Sequence, residues 1–424
     1  MTGPVTNTGS FSDLKDELLG VFRRGVREPM PDSEFNDLAL RVFRFQYQHN
    51  RAYRGFVDRR GVEPQGVEAW EEIPFLPTRA FKAATLVSGE AHDVEMVFRT
   101  SGTTEGRELR GAHHVRDLDL YRENLLPNLT AHLLQDGGEG SQEEGVERLP
   151  ILCLLPSAKM APDSSLSFMM AEAIRCFGSD SSGFFVEPQG SVEVERFRGA
   201  LEDAAGRGVP VLLAGTAFSF VSWTEEALEK EWEVTLPPGS RIMETGGYKG
   251  RSTELSRAEL YGSLTGAFGV PEGWIVNEYG MTELLSQFYE PVLGRAMADR
   301  GEAFPGSGAG PGERVSGGQE AAPGKAAPGL DERFLVSPPW IRTLVLDPVT
   351  LGPLGPGRVG VLAHLDLANL GSVSAILTED LGTRVPGGLK LVGRTPGSEP
   401  RGCSLAMEDF LASRGTDIRT GSGS

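Results

Sequence analysis

The sequence predicts an α/β fold with a helical N-terminal region, on three observations. Apolar residues near the start recur at helical spacing. Further on, short apolar runs bounded by chain breakers alternate with helical stretches. No stretch approaches the roughly 18 apolar residues of a membrane span.

Phe11, Leu14, Leu18 and Val21 mark a first helix, and Phe35, Leu38, Val42 and Phe45 a second one behind Ser33 as a candidate N-cap. The runs Ile151 to Leu155 before Pro156 and Val209 to Leu213 before Gly215 read as buried strands, with a helix over Val192 to Ala205 between them. Val94 to Phe98 and Trp274-Ile275-Val276 are strand-like, as are Ile341 to Leu346 and Arg358 to Leu365 around a Pro/Gly-rich turn. The acidic stretch Asp136 to Glu147 and the low-complexity insert 301–329 read as solvated excursions, the second as disordered. The tail 415–424 is polar and reads as frayed.

With 424 residues, 39% of them hydrophobic, the chain can bury a large core. Its net charge of −18 repels nucleic-acid backbones and anionic lipid, so neither nucleic acid nor membrane insertion is expected. The N-terminus shows no basic region followed by an apolar run, so a cytoplasmic protein is expected. Cys153, Cys176 and Cys403 are too few and scattered for a disulfide framework or a zinc site.

Two segments carry chemistry. Thr100, Ser101, Gly102, Thr103, Thr104, Glu105 and Gly106 follow a strand and supply hydroxyls and unobstructed N–H groups, which suit a phosphate-holding loop. Arg107 and Glu108 replace the Lys-Ser/Thr pair of a P-loop, and taken alone the segment also reads as an ordinary turn. Asn277 to Glu283 offers Tyr279 to stack on a base, Thr282 to bond a phosphate and Glu283 as a hard oxygen ligand for Mg²⁺. Taken singly, Tyr279 reads better as core packing and Glu283 as a helix first-turn residue.

Together these segments resemble the ATP-binding loops of the adenylate-forming ANL superfamily. More narrowly, the chain resembles the acyl-protein synthetases of bacterial luminescence systems (LuxE type). That likeness rests on Phe45-Gln46-Tyr47 with Tyr53, on Ile73 to Thr78 with Phe81-Lys82, and on Gly246 to Gly250. It rests further on Asp366 to Leu370, Thr378 to Gly382 and Arg401 to Leu405, in that order along the chain. The resemblance implies an ANL-type large domain over 1–392 and a truncated C-terminal segment, 393–424, carrying Cys403. It implies that Thr100, Ser101, Gly102, Thr103, Thr104 and Gly106 surround the β and γ phosphates of ATP. By the same likeness Gly246 and Gly247 flank the adenine, Tyr279 stacks on it, Thr282 contacts the α-phosphate and Glu283 holds Mg²⁺. Asp380 bonds the ribose and Arg394 joins the ATP site. Roughly thirty residues follow Arg394, too few for the superfamily's mobile, lysine-bearing C-terminal domain.

The implied enzyme is a ligase that converts a carboxylic acid, a fatty acid by the resemblance, to acyl-AMP and then to a thioester on Cys403. An acyl reductase is its implied partner. Arg394 and Arg401 would favour the Cys403 thiolate, and the polar, Gly-rich context predicts an exposed thiol. Cys153 and Cys176, in apolar contexts, read as buried thiols. His113 and His114 read as packing or surface residues, with a role near the substrate carboxylate as the less favoured alternative. Lys249 reads as a surface residue. The rival readings are an acyl- or aryl-CoA ligase, which needs no Cys403, and an inactive nucleotide-binding subunit.

Overall fold

The computed structural model describes residues 9–100, 110–134, 148–187, 190–246, 255–293, 329–394 and 401–415. Three helices open the chain: α1 (Phe11–Arg23), α2 (Asp32–His49) and α3 (Arg51–Arg59). Ser10 caps α1 in a reciprocal capping box with Asp13. Ser33 is not the cap of α2, which begins after Pro31; Pro31 fixes the entry to the helix without a side-chain bond.

β1 (Leu76–Pro77), the short α4 (Ala80–Ala83) and the hairpin β2 (Met96–Arg99) and β3 (Ala112–Val115) follow, then α5 (Leu118–Leu133). Strands and helices then alternate: β4 (Ile151–Leu154), α6 (Ser165–Phe177), β5 (Gly183–Phe184) and α7 (Val194–Arg207). Next come β6 (Leu212–Thr216), α8 (Ala217–Glu229), β7 (Arg241–Thr245) and α9 (Arg257–Phe268). β8 (Ile275–Tyr279) and β9 (Phe288–Tyr289) precede the antiparallel run β10 (Ile341–Leu346), β11 (Gly360–Asp366), β12 (Ala375–Val385) and β13 (Gly388–Arg394). A last helix, α10 (Arg401–Gly415), closes the described chain.

Two sheets organise the core. In the first, β5, β4, β6, β7 and β8 are parallel and β9 is antiparallel at its edge, the layout that alternating strands and helices dictate. β6 starts at Leu212, three residues later than the run Val209 to Leu213 suggests. Pro210 cannot donate to a ladder, and the Val211 N–H is taken by Ser240 Oγ. The second sheet runs β10, β11, β12, with β1 and β13 sharing the far edge of the long β12. Phe220 and Trp223 on α8 are buried in an aromatic cluster with Phe197 and Phe268.

Several motif pieces quoted above meet in one buried polar knot. Gln46 Nε2 donates to the carbonyls of Asn369 (2.9 Å) and Leu370 (3.2 Å), and its Oε1 accepts from Ser374 N–H. The Tyr53 hydroxyl donates to Pro74 O at 2.8 Å. Asp366, fully buried, accepts from Leu285 N–H, Ser286 N–H, Ser286 Oγ and Ala368 N–H. Asp366→Ala strands these buried donors and is expected to cost about 3–5 kcal/mol, read as a lower urea midpoint. An unchanged midpoint would contradict this assignment.

Loop residues 101–106, Gly247, Lys249, the acidic stretch 136–147, the insert up to residue 328 and the tail from 416 lie outside the described residues. Among the described residues, no helix is long and apolar enough to cross a membrane.

Candidate active site

The site gathers at the carboxyl ends of the parallel strands, where open α/β sheets leave a crevice, and it faces the second sheet. β8 delivers Tyr279 at its last position, and the chain then turns through Gly280, Met281, Thr282 and Glu283. β7 ends one residue before Gly246, which is exposed and has open space where a Cβ would stand. β2 ends one residue before Thr100, at the base of the predicted phosphate loop.

On the second sheet, β11 and β12 supply His364 and Asp380. The Tyr279 hydroxyl donates to Asp380 Oδ2 at 2.9 Å, and Arg394 Nε donates to Asp380 Oδ1 at 2.8 Å. His364 Nε2 lies 3.3 Å from the Tyr279 hydroxyl, and its Nδ1 lies 2.8 Å from Thr343 Oγ. The Tyr279 hydroxyl spends its hydrogen in the bond to Asp380, so it accepts from a protonated Nε2 of His364, and Nδ1 accepts from Thr343. Burial holds His364 down at about 4, keeping it neutral. The Tyr279 ring packs on Phe288 and His364, and Arg394 remains largely exposed (75% of its side chain).

Glu283 is buried, and burial lifts its acid to about 7, with Arg394 pulling down and Asp380 pushing up. No group of three or more His, Cys, Asp or Glu that could hold a metal occurs among the described residues. A single buried carboxylate still fits Mg²⁺, which ordinarily takes one or two carboxylates and completes its shell with water and substrate phosphates. Sequence reasoning missed Glu278 on the opposite face of β8. Burial and the nearby Glu244 push its acid up to about 8, and it leans so close to Gly280 that a Cβ there would collide with it.

The strands on either side of the first predicted segment meet the turn of the second. His113 on β3, opposite Phe98 of β2, places Nδ1 2.7 Å from the Thr282 carbonyl. The β2–β3 hairpin is therefore tied to the turn that carries Thr282 and Glu283. Thr100 has a structural task in that hairpin: its hydroxyl accepts the Gly111 N–H at 2.9 Å, while its carbonyl accepts from Arg110 Nε.

Cys403 departs from expectation. It is 2% exposed, in the first turn of α10, rather than on an open Gly-rich surface. Cys403, Ala406 and Phe410 recur at i, i+3 and i+7 and turn one buried stripe inward. Cys403 packs with Leu344, Leu346, Val361, Ala363 and Leu377, and its thiol donates to Thr378 O at 3.6 Å. Those partners share one face of the second sheet; His364, whose cross-strand partners are Thr343 and Ile376, is on the other. The sheet thus stands between Cys403 and the Tyr279–Asp380 cluster. Gly402 seats the helix close to Leu351, its N–H donating to Pro348 O at 2.9 Å. Cys153 is fully buried as expected, and burial pushes its thiol up; Cys176 is partly buried.

A family model for acyl-protein synthetase, LuxE, matches residues 27–292. The chain is 22% identical over 392 residues to the long-chain-fatty-acid–luciferin-component ligase of Aliivibrio fischeri, with 89% of each protein covered. The Vibrio harveyi protein of the same description is 22% identical over 385 residues, covering 88% of this chain and 87% of that one. Among solved structures, an open conformation of 2-hydroxyisobutyryl-CoA ligase in complex with 2-HIB-AMP and CoA superposes with a TM-score of 0.56 at 14% identity. It covers 94% of this chain and 80% of that one, and the likeness is one of fold.

Proposed function

The chain belongs to the LuxE acyl-protein synthetase family, and from that premise we propose that it activates a long-chain fatty acid with ATP and Mg²⁺ and passes the acyl group to Cys403. The observation that carries this reading is the bond from His113 to the Thr282 carbonyl, which holds the base of the phosphate loop against the turn bearing Thr282 and Glu283.

In the first half-reaction the acid's carboxylate oxygen attacks the α-phosphorus of ATP, and pyrophosphate leaves with the bonding pair. The protein's part is placement and charge: loop 100–106 for the β and γ phosphates, Thr282 for the α-phosphate, and Gly246, Gly247 and Tyr279 around the adenine. Asp380 would bond the ribose; both its oxygens are already engaged, so the ribose hydroxyls would share or displace the Arg394 contact. Mg²⁺, held by Glu283, would neutralise phosphate charge. In the second half-reaction the Cys403 thiolate attacks the acyl carbonyl and AMP leaves, giving a thioester for a partner such as an acyl reductase.

The buried position of Cys403 favours one rival specifically, a ligase that uses a free thiol such as CoA. The assay that decides is acid-dependent exchange of labelled pyrophosphate into ATP, followed by incubation with labelled fatty acid. Exchange together with base-labile label on denatured protein is the expected result. Absence of exchange with every acid tried would remove the whole reading, and exchange with label only on added CoA would select the rival.

A further inference from the structure

The turn from Gly280 to Gln287 is held by buried polar side chains from three elements. Asn124 and Asn128 on α5 donate to the carbonyls of Leu285 (2.8 Å) and Gln287 (2.7 Å), and Asp366 accepts the N–H groups of Leu285 and Ser286. These fix the start of β9. Two further bonds fall on the residues assigned to chemistry: His113 Nδ1 to Thr282 O, and Asn369 Nδ2 to Glu283 O at 2.8 Å. Because they hold consecutive carbonyls, they set the peptide planes from which the Thr282 hydroxyl and the Glu283 carboxylate project.

The chemistry of the His113 bond is determined. A carbonyl accepts only, so Nδ1 carries the proton and Nε2 is a bare acceptor. Nε2 faces the side chain of Asn369, the second anchor, and both residues line one small cavity. Burial keeps the ring neutral, at about 4, so this tautomer holds across the physiological range.

We infer that His113 and Asn369 are positioning residues for adenylation, acting as a paired clamp on the Thr282 and Glu283 backbone. The inference rests on the proposed function. His113 also belongs to the β2–β3 hairpin, so the clamp ties that hairpin to the turn.

The imidazole offers a sharp test, since asparagine reproduces a donor at the Nδ1 position and glutamine one at Nε2. In acid-dependent pyrophosphate exchange, His113→Gln and Asn369→Leu are expected to lose about 10–100-fold in kcat, with the acid's KM little changed. His113→Asn is expected to recover most of that loss. Melting temperatures are measured on all three. Overturning results are exchange at the wild-type rate in His113→Gln and Asn369→Leu, His113→Asn as impaired as His113→Gln, or variants that fail to fold, which would make the pair a folding element. Should wild-type protein show no exchange with any acid, the functional reading falls instead. The clamp is then judged by calorimetry of Mg·ATP binding, where the same ranking supports it and equal affinities reject it.

Discussion

Glu283→Gln is expected to lower acid-dependent pyrophosphate exchange by about 10²- to 10³-fold and to erase its dependence on pH near neutrality. The wild-type carboxyl has its acid lifted to about 7, chiefly by burial. The sign follows from which form binds metal. Only the carboxylate coordinates Mg²⁺, so below pH 7 the metal must displace a proton. The Mg²⁺ concentration for half-maximal exchange should then rise about tenfold for each pH unit below 7 and level off above 8. Stability follows the same linkage. The folded protein binds this proton more tightly than the unfolded chain does, so metal-free protein loses stability as pH rises from 4.5 to about 7. Mg·ATP should offset that loss. A half-saturating Mg²⁺ concentration that is the same at pH 6 and pH 8 would rule out Glu283 as the ligand.

Cys403→Ala is expected to remove all base-labile acyl label from the denatured protein, whereas exchange, which uses no thiol, continues. Burial adds a second, independent reading. With Cys403 2% exposed, a thiol reagent should modify it slowly in the resting protein, and slowly in proportion to how often α10 leaves its seat. That seat includes Phe410 edge-on against Phe56 with ring centres 6.4 Å apart, and Asp409 paired with Arg60 at 3.2 Å. Phe410→Ala should loosen it and speed modification about tenfold or more, by deleting a buried aromatic side chain. Label retained by Cys403→Ala would move the acceptor elsewhere, and equal modification rates in both proteins would mean that α10 does not guard the thiol.

Legibility varied with how local the determining forces were. Helical spacing and breaker-bounded runs located α1, α2, α7, β4 and β10, because amphipathic burial writes itself into neighbouring residues. Ser33 misled because a good cap residue stood two positions after Pro31, whose fixed geometry starts the helix earlier. Arg401, Gly402 and Ser404 made the surroundings of Cys403 look open, whereas the stripe Cys403, Ala406, Phe410 carried the contrary signal. His364, Thr343 and Asn369 act through partners 80 or more residues away or on an adjoining strand, and no spacing in one sequence announces such pairs. Tyr279 illustrates both halves: its segment was conspicuous, but its bond to Asp380 exists only once two sheets face each other.

The position of Arg394 has a mechanical corollary. It is the last residue of β13, and its guanidinium rests on Asp380, so β13 ends directly beside the Tyr279–Asp380 pair. Cys403 comes nine residues later, a leash that even fully extended spans no more than about 30 Å. With α10 released, covalent reach alone would hold the thiol within that radius of Arg394, a local concentration on the order of millimolar. Lengthening the leash with a glycine-serine insert should therefore slow self-acylation without touching either end of the reaction.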